Sequence, residues 1–237
     1  MPSLKHRSKE KEKLDELNLS GKELEESLRQ LAFINKSLGN TRSLAKAVFE
    51  EIKQAKLSEV KIIDLGCGGG DILRALEKRL KKMGIGYSLL GIDGNENSLS
   101  FAASQLEAKS KISFQTADIL AEGFQLPPSD ILISSHFMYH FEEEDLIHFI
   151  QKHNSSVSTS IIFSELMRNK WAFLLFRTFS RLLGFRQMVK QDGLTAIKRA
   201  YTIQELQNLF ARFDISAYQI RPKFLFRMII RINPKSL

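Results

Sequence analysis

The chain has 237 residues, of which 43% are hydrophobic, enough for one large domain or for a core domain with a cap. Its 35 lysine and arginine residues exceed its 27 aspartate and glutamate residues. The net charge of +8 permits attraction to nucleic acid or to an anionic membrane, although a basic soluble surface is the simpler interpretation. The single cysteine excludes a disulfide framework and favours a reducing compartment. Since the sequence shows no signal-peptide pattern and no run of about 18 apolar residues, we expect a cytoplasmic protein without a membrane-spanning helix.

The residues before the first predicted strand divide into two parts. Residues 1–19 are rich in lysine and other charged residues, which predicts a flexible basic N-terminus. Residues 20–56 carry apolar residues at spacings of three and four, which predict two helices. The segment from Ser20 to Glu23 has the pattern of a capping box for the first helix, and we expect Thr41 to cap the second. These helices either close a site or only pack against the domain.

Strand and helix patterns alternate from residue 57 onward. The predicted strands cover residues 60–65, 87–92, 111–116, 130–135, 159–164, 214–220 and 224–231. The predicted helices between them cover residues 71–83, 97–108, 142–152 and 203–211. This alternation is typical of a parallel, doubly wound sheet, in which ligands bind beyond the carboxyl ends of the strands. The last two strands flank a Pro-Lys pair and predict a terminal hairpin.

Residues 166–200 interrupt the alternation with a wide apolar face. Its large side chains are Trp171, Phe173, Leu174, Leu175, Phe176, Phe179, Leu182, Leu183 and Phe185. Arg177, Arg181 and Arg186 are interspersed among them. We interpret the segment as a helical lid that lines an apolar substrate pocket. The alternatives are a helix that lies at a membrane surface and an ordinary core helix.

A glycine-rich turn joins the first predicted strand to the first helix after it. Residues 60–71 read Val-Lys-Ile-Ile-Asp-Leu-Gly-Cys-Gly-Gly-Gly-Asp, and glycines let the backbone turn sharply and approach a ligand closely. A dinucleotide loop would need a glycine at the position of Asp71, and the P-loop sequence is absent. Asp64, just before the glycines, suits a ligand with a cationic amino group. Asp93 follows about 20 residues later, at the end of the second strand, where a carboxylate can accept from ribose hydroxyls.

These residues resemble the class I S-adenosylmethionine (SAM)-dependent methyltransferase family. The resemblance begins with Asp-Leu-Gly-Cys-Gly-Gly-Gly at 64–70 and Gly-Ile-Asp at 91–93. Two further segments fit in the right order: Ile-Ser-Phe-Gln-Thr-Ala-Asp at 112–118 and Asp-Ile-Leu-Ile-Ser-Ser-His at 130–136. The similarity extends over roughly residues 40–231, most of the expected domain.

The resemblance implies an α/β fold with S-adenosyl-L-methionine as the cofactor. The expected architecture is a Rossmann-like seven-stranded, mostly parallel sheet with helices on both faces, the last strand antiparallel, and a helical cap. In that family, residues 20–56 would be cap helices over the cofactor mouth, and residues 57–237 the methyltransferase domain with its lid at 166–200. The implied cofactor-binding residues are Asp64, Gly66, Cys67, Gly68, Gly70, Asp93, Gly94, Asp118, Ile119, Ser134 and Ser135.

The candidate catalytic residues lie just beyond the fourth predicted strand. His140 is the first candidate for a general base, because histidine titrates near neutrality. It precedes an acidic stretch at 142–145, whose carboxylates could orient its ring or simply favour the helix dipole. His136 and Tyr139 are weaker candidates. The family often carries a histidine at this place across different substrates, so a structural role for His140 is the alternative.

Three further charged residues are expected near the same rim. Glu165, at the end of the fifth strand, would orient an acceptor or pair with Arg168. Arg199 would either steer an anionic substrate or serve as a structural cation. The histidines show no zinc-type spacing with the cysteine, so we expect no metal.

The sequence thus predicts a SAM-dependent methyltransferase that acts on a small, largely apolar acceptor. O-methylation of a phenolic, quinone or polyketide-like hydroxyl is favoured by the aromatic lid segment and by a weaker likeness to methyltransferases of quinone and polyketide pathways. The alternatives are an RNA or protein methyltransferase and a non-catalytic SAM-binding scaffold. We expect no nucleic-acid partner, because no RNA-binding module is evident. Transient contact with a membrane surface, the acceptor, the oligomeric state and lid motion are left open.

Overall fold

The computed structural model describes residues 4–121 and 123–234, so the first three residues of the predicted N-terminal segment lie outside the described part. The strands are β1 (Glu59–Leu65), β2 (Gly86–Asp93), β3 (Ile112–Thr116), β4 (Ser129–Ser135), β5 (Val157–Leu166), β6 (Tyr218–Lys223) and β7 (Arg227–Ile232). The α-helices are α1 (Gly21–Ser37), α2 (Asn40–Gln54), α3 (Asp71–Met83), α4 (Glu96–Ser104), α5 (Glu143–His153), α6 (Lys170–Leu182), α7 (Gln187–Arg199) and α8 (Ile203–Arg212).

The seven strands form one sheet in the order β3-β2-β1-β4-β5-β7-β6. Strands β1 to β5 are parallel, and β7 runs antiparallel to both of its neighbours. This topology confirms the predicted Rossmann-like sheet. Leu65 at the end of β1 pairs with Ile92 of β2 and with Ser134 of β4. The loops that follow these three strands therefore meet at one edge of the sheet.

Hydrophobic clusters cover both faces of the sheet. Because side chains alternate along a strand, Ile63 and Leu65 enter one cluster, whereas Val60 and Ile62 enter the other. Helices α5 and α8 pack on the first face, and α2 and α3 pack on the second. The helices thus hold the carboxyl edge of the sheet in a fixed frame.

The predicted caps of the first two helices are wrong. Ser20 stands at the N-cap of α1, but its side chain makes no capping hydrogen bond, and Gly21 after it has a φ of 73°. A left-handed first residue departs from the geometry that brings an N-cap oxygen to the third amide. Helix α2 begins at Asn40 after Gly39, whose φ is 79°, so Thr41 lies inside the helix.

The hairpin at the end of the sheet is shifted from its predicted position. Pro222 lies within β6, where a missing amide hydrogen is tolerated because β6 is an edge strand. The turn comes after it, at residues 224–226, and both Leu225 and Phe226 adopt positive φ values of 59° and 57°. The turn thereby brings the start of β7 to the same edge of the sheet as the glycine-rich turn at residues 66–70, which we call the glycine loop.

The predicted helix at 97–108 is shorter than expected, because α4 ends at Ser104. The chain turns after it so that Ser110 Oγ and the Lys111 amide donate to the Glu77 carboxylate of α3, at 3.0 and 2.7 Å. Helix α8 begins with a capping box. Thr202 and Glu205 there exchange side chain to backbone hydrogen bonds.

Residues 166–200 form α6 and α7, two helices that pack together beside the carboxyl edge of the sheet. None of the helices formed by residues 4–121 and 123–234 has the length and apolar character that a bilayer crossing requires.

Residues 4–19, which we call the N-terminal strap, run along the same edge. The backbone amides of Lys13 and Leu14 donate to the two carboxylate oxygens of Asp192 on α7, at 2.9 and 3.0 Å. Asn95, after β2, donates its side-chain amide to two carbonyl oxygens of the strap at 3.3 and 3.0 Å. The strap therefore bridges the ends of the sheet and the lid helices. The predicted division of the chain into N-terminus, cap helices and lidded domain stays a prediction.

Candidate active site

A cavity of about 940 Å³ opens at the carboxyl edge of the sheet. Its walls come from the glycine loop, the loops after β2, β3 and β4, helices α1, α6 and α7, the strap and the β6–β7 turn. This volume lies at the upper end of the range of about 300–1,000 Å³ for small-molecule sites. The cavity is thus large enough for a cofactor together with part of an acceptor.

The glycine loop is held by the end of the neighbouring strand. The backbone amides of Gly66 and Cys67 both donate to the Ile92 carbonyl oxygen, at 2.8 and 3.2 Å. Gly66 and Gly68 have φ values of 66° and 50°, a region that glycine adopts without steric cost. The loop consequently lies against β2 with backbone exposed to the cavity.

Asp93 closes this loop from the β2 side. Its Oδ2 accepts from the Gly68 amide at 2.8 Å, and its Oδ1 accepts from the Asn95 amide at 2.9 Å. Burial raises the pKa of Asp93, against the opposing effect of the backbone amides of Asn95, Gly68 and Gly94. Each oxygen has a second lone pair, so the carboxylate can still accept hydroxyl donors from the cavity.

Asp64 presents an unsatisfied acid to the same cavity. The residue is 1% exposed, and its Oδ2 has no hydrogen-bond partner among the described residues. Burial, followed by the charges of Asp71 and Asp93, raises the pKa of Asp64 well above its usual value. A buried carboxylate that lacks a hydrogen-bond partner and lies near other acids needs a cation or hydrogen-bond donors beside it. The cofactor expected from the sequence carries cationic amino and sulfonium groups, so these residues fit it.

The rest of the predicted cofactor set divides into cavity residues and supporting residues. The predicted residues that line the cavity are Asp64, Gly66, Cys67, Gly68, Asp93, Gly94, Asp118, Ile119 and Ser135. Gly70 and Ser134 do not line it. A Cβ on Gly70 would lie 3.1 Å from Phe114, so this glycine allows close packing behind the loop. Ser134 donates its hydroxyl to the Leu65 carbonyl oxygen and supports the sheet.

His140, His136 and Tyr139 all line the cavity, but they differ in what they can do. Burial, followed by the charges of Arg227 and His140, lowers the pKa of His136 well below its usual value. Burial, followed by Glu12, raises the pKa of Tyr139 well above its usual value, so Tyr139 stays a phenol near neutrality. His136 and Tyr139 are therefore poorly suited to take a proton.

His140 is the better placed of the two histidines. Its Nε2 lies 3.1 Å from the His136 carbonyl oxygen, and because a carbonyl oxygen only accepts, we assign a proton to Nε2. That assignment leaves Nδ1 to take up a proton. Nδ1 lies 3.4 Å from Oδ1 of Asp15 in the strap. The acid beside His140 thus comes from the strap, whereas Glu142 and Glu143 pair with Lys9 and Arg212 instead.

The strap carries two acidic site residues that sequence reasoning missed. Arg199 of α7 donates to Asp15 at 2.9 Å and lies 3.4 Å from Glu12. Burial raises the pKa of Asp15, but the contacts with His140 and Arg199 outweigh it, and the net shift is downward. Burial, followed by Asp15, raises the pKa of Glu12 well above its usual value. No local motif links Asp15 to Arg199, because 184 positions separate them.

The acids of the strap also have a spacing that a metal ion could bridge. Glu12, Asp15 and His140 each offer one ligand atom, and these three atoms lie within 4.8 Å of one another. Arg199 already supplies a cation to both carboxylates. We therefore interpret the group as an ion-pair network that joins the strap to the lid.

Glu165 lies beneath the loop that follows β4, and its hydrogen-bond partners differ from the expected one. Its Oε1 accepts from the Phe137 and Met138 amides at 2.8 and 3.1 Å, while Arg168 pairs with Glu205. The expected pairing of Glu165 with Arg168 is therefore wrong. Burial raises the pKa of Glu165 to about 7, although the two amides oppose the shift. Glu165 fixes the backbone that carries the histidines.

Helix α6 presents one apolar side to the cavity and another to solvent. Ala172, Leu175 and Phe176 line the cavity. Trp171 and Leu182 are 56% and 81% exposed on the outer side. The inner side lines the cavity with apolar residues. A lid role for this segment and contact of its outer side with a membrane surface both stay predictions.

The comparisons with known proteins agree with this architecture. Residues 62–158 match the family model described as a methyltransferase domain, from β1 to the start of β5. Human N-acetylserotonin methyltransferase, solved in complex with SAM, is 15% identical, with a TM-score of 0.61 over 89% of this chain and 55% of that chain. This chain therefore spans about half the length of the human protein.

Two other solved structures have similar scores. The plantazolicin methyltransferase BpumL, in complex with S-adenosylhomocysteine (SAH), is 16% identical, with a TM-score of 0.60 over 89% of this chain and 95% of that one. An O-methyltransferase family 2 protein from Planctomyces limnophilus DSM 3776, in complex with apigenin, is 14% identical. Its TM-score is 0.53, over 88% of this chain and 62% of that one. At these identities the likeness establishes a shared fold.

The strand order, the single antiparallel strand β7 and the matched domain together define a class I methyltransferase fold. The chain thus has the fold of the class I SAM-dependent methyltransferases, and the human protein and BpumL, which share this fold, were solved with SAM and SAH.

Proposed function

We propose that this protein transfers a methyl group from SAM to a hydroxyl of a small, largely apolar acceptor, such as a phenolic, quinone or polyketide-like compound. The observation that carries the proposal is the continuity of one cavity. Asp64 and Asp93 line it beside the glycine loop, and His140 lines it together with Leu175 and Phe176 of α6. We call these two groups of residues the cofactor end and the acceptor end. A single chamber can therefore hold a cationic methyl donor and an apolar acceptor side by side.

The cofactor end would bind SAM through charge and backbone. Asp64, whose Oδ2 lacks a partner among the described residues, would pair with the α-amino group, and Asp93 would accept from the ribose hydroxyls. Asp118 and Ile119 would lie beside the adenine. When bound, SAM supplies a methyl group on a sulfonium, which is already an electrophile. The protein then needs mainly to position the acceptor and to exclude water.

The acceptor end would manage the proton of the hydroxyl. In the proposed mechanism His140 accepts this proton at Nδ1, and Asp15 stabilises the imidazolium that results. His136 holds the other nitrogen of that ring through its carbonyl oxygen. Phe176 and Leu175 of the lid would contact the apolar body of the acceptor and keep water away.

The test of the cofactor site is isothermal titration with SAH on the wild type and on Asp93→Ala. The loss of charge-assisted contacts worth roughly 1.5–3 kcal/mol should weaken SAH about tenfold or more. The exposed residue Asp145 supplies the matched control, and Asp145→Ala should bind SAH like the wild type. If neither the wild type nor the variants bind SAH at millimolar concentration, the enzyme proposal falls and a scaffold role takes its place.

Substrate panels separate this proposal from the RNA or protein methyltransferase alternative. We expect methyl transfer to small phenols and none to total RNA or to protein extracts. The apolar lining of the lid supports this expectation, because a nucleic-acid site would need aromatic and basic residues arranged for stacking and phosphate contact. Methylation of RNA with no activity on phenols would reverse the choice.

A further inference from the structure

Arg227 is the first residue of β7 and lies at the acceptor end of the cavity. It pairs in register with Leu166 at the carboxyl end of β5, directly after the β6–β7 turn. The residue is 3% exposed and lines the cavity. A guanidinium in such a place has lost most of its hydration, so it needs compensating partners.

The partners of Arg227 leave its charge uncompensated. Its Nη1 lies 2.6 Å from His136 Nε2, and its Nε has no partner among the described residues. Other buried arginines of the chain are paired with acids: Arg168 with Glu205, and Arg199 with Asp15. Within residues 4–121 and 123–234, no carboxylate lies within ion-pair distance of Arg227.

The neighbouring titratable groups do not supply the negative charge that Arg227 lacks. His136 is neutral near pH 7, because burial lowers its pKa, and it serves Arg227 only as an acceptor. Glu165 and Tyr139 are the groups whose charges act on Arg227, but neither forms an ion pair with it among the described residues. Burial raises the pKa of Glu165 to about 7, so it supplies only part of a negative charge at neutral pH. Burial lowers the pKa of Arg227 to about 10, so the guanidinium stays protonated at neutral pH.

We propose that Arg227 binds a carboxylate of the acceptor, so that the acceptor is an apolar, aromatic acid rather than a neutral phenol. This inference rests on the proposed function and names the substrate class for the same site. A carboxylate matches the geometry of a guanidinium and would supply the missing negative charge. The end of β5, helix α6 and the β6–β7 turn add apolar side chains to the cavity lining: Leu166, Ala172, Phe176, Leu225 and Phe226. They would hold the hydrocarbon part of such an acid.

Matched acid and amide probes test the inference on the wild-type protein loaded with SAH. Benzoate and 3-hydroxy-2-naphthoate are each compared with the corresponding neutral amide by isothermal titration. We expect the naphthoate to bind at least about tenfold more tightly than its amide, as expected for a charge-assisted contact. Equal affinities of acid and amide, or failure of both acids to bind at millimolar concentration, would overturn the inference.

Variants then assign the preference to Arg227. Arg227→Gln should abolish the acid preference and leave the affinity for SAH unchanged, and Arg227→Lys should keep part of it. Arg221→Gln, on the exposed edge strand β6, is the matched control and should keep all of it. An acid preference that survives in Arg227→Gln would show that another group binds the carboxylate. If Arg227→Gln does not fold, the lysine variant and the wild-type probe pair decide.

The outcomes separate this inference from the proposed function. Absence of SAH binding to the wild type would contradict the proposed methyl transfer. Normal SAH binding without any preference for acids would contradict only the role of Arg227.

Discussion

The two ends of the cavity are built in different ways and differ in which charged group lacks a partner. The cofactor end is assembled from loops that follow β1, β2 and β3, and its characteristic groups are the carboxylates of Asp64 and Asp93. The acceptor end is assembled from the strap, the lid helices and the β6–β7 turn. Its Arg199 is paired with the strap acids, whereas Arg227 has no ion-pair partner among the described residues.

This difference in construction indicates which part of the site can vary. A strand, a tight turn and a helix form the cofactor end within a short stretch of chain. Residues that are close in sequence therefore determine its chemistry. The acceptor end depends on contacts between segments far apart in sequence, so its chemistry can change when any one of them changes. We therefore expect substitutions at the two ends to affect different measurements.

The largest effect should come from the acceptor end. His140→Gln should lower turnover at pH 7 by about 10²–10⁴-fold with any phenol that the wild type methylates, because the group that takes the hydroxyl proton is removed. The affinity for SAH should not change. Steady-state kinetics and titration with SAH measure the two quantities.

The control for this variant is His148→Gln, at an exposed position on α5. It should match the wild type in both measurements. Near-normal turnover of His140→Gln would end the assignment of His140 as a base and favour its alternative role as a structural residue of the loop.

The next largest effect concerns stability and the buried acid beneath the histidines. Burial raises the pKa of Glu165 from 4.5 to about 7, so in the folded state it keeps its proton at pH values where the unfolded chain has lost it. Between these two pKa values the unfolded state binds fewer protons, so stability falls as pH rises from about 4.5 to about 7. The loss amounts to at most about 3 kcal/mol.

Glu165→Gln removes this ionisation and should flatten that part of the stability profile. Urea denaturation across the same pH window, for the wild type and the variant, measures the effect. Glu144→Gln, at an exposed position of α5, is the control and should keep the wild-type slope. Parallel profiles for the wild type and Glu165→Gln would mean that Glu165 is ionised in the folded protein at acid pH.

Much of the cofactor end could be predicted because its signals are local. The glycine loop, Asp64 and Asp93 lie within one strand–turn–helix–strand unit, and periodicity placed β1, α3 and β2 to within about one residue. Two of the predicted cofactor residues make supporting contacts and do not line the cavity. Gly70 and Ser134 belong to the motif, yet one packs against Phe114 and the other bonds to the sheet.

The acceptor end could be predicted only in outline. The lid segment and the candidate histidines were recognisable from composition and from their place after β4. The acid beside His140 was not, because Asp15 comes from a charged N-terminal stretch whose pattern predicts no contact. Likewise, Arg227 looks like an ordinary strand residue until the fold shows that it is buried without an acid.

The smallest expected effect comes from the strap, which touches both ends. Leu17 of the strap packs against Gly94, where a Cβ would lie 2.7 Å from its side chain, and Asp15 lies beside His140. Asp192 anchors the strap by accepting two backbone amides. Asp192→Asn keeps one oxygen but turns an amide group toward the second donor. We expect a loss of about 1 kcal/mol, or about fivefold, in both SAH affinity and turnover.

Limited trypsin digestion gives a readout of the strap itself, since cleavage after Lys11 and Lys13 requires that segment to detach. Cleavage there should be faster in Asp192→Asn and unchanged in Asp145→Asn, the exposed control. A loss of both SAH affinity and turnover would distinguish the strap from either end of the cavity. Asp93→Ala should lower SAH affinity first, and His140→Gln should lower turnover alone. Faster cleavage with SAH affinity unchanged would place the strap with the acceptor end only, and the contact of Leu17 with Gly94 would then be packing without a role in cofactor binding.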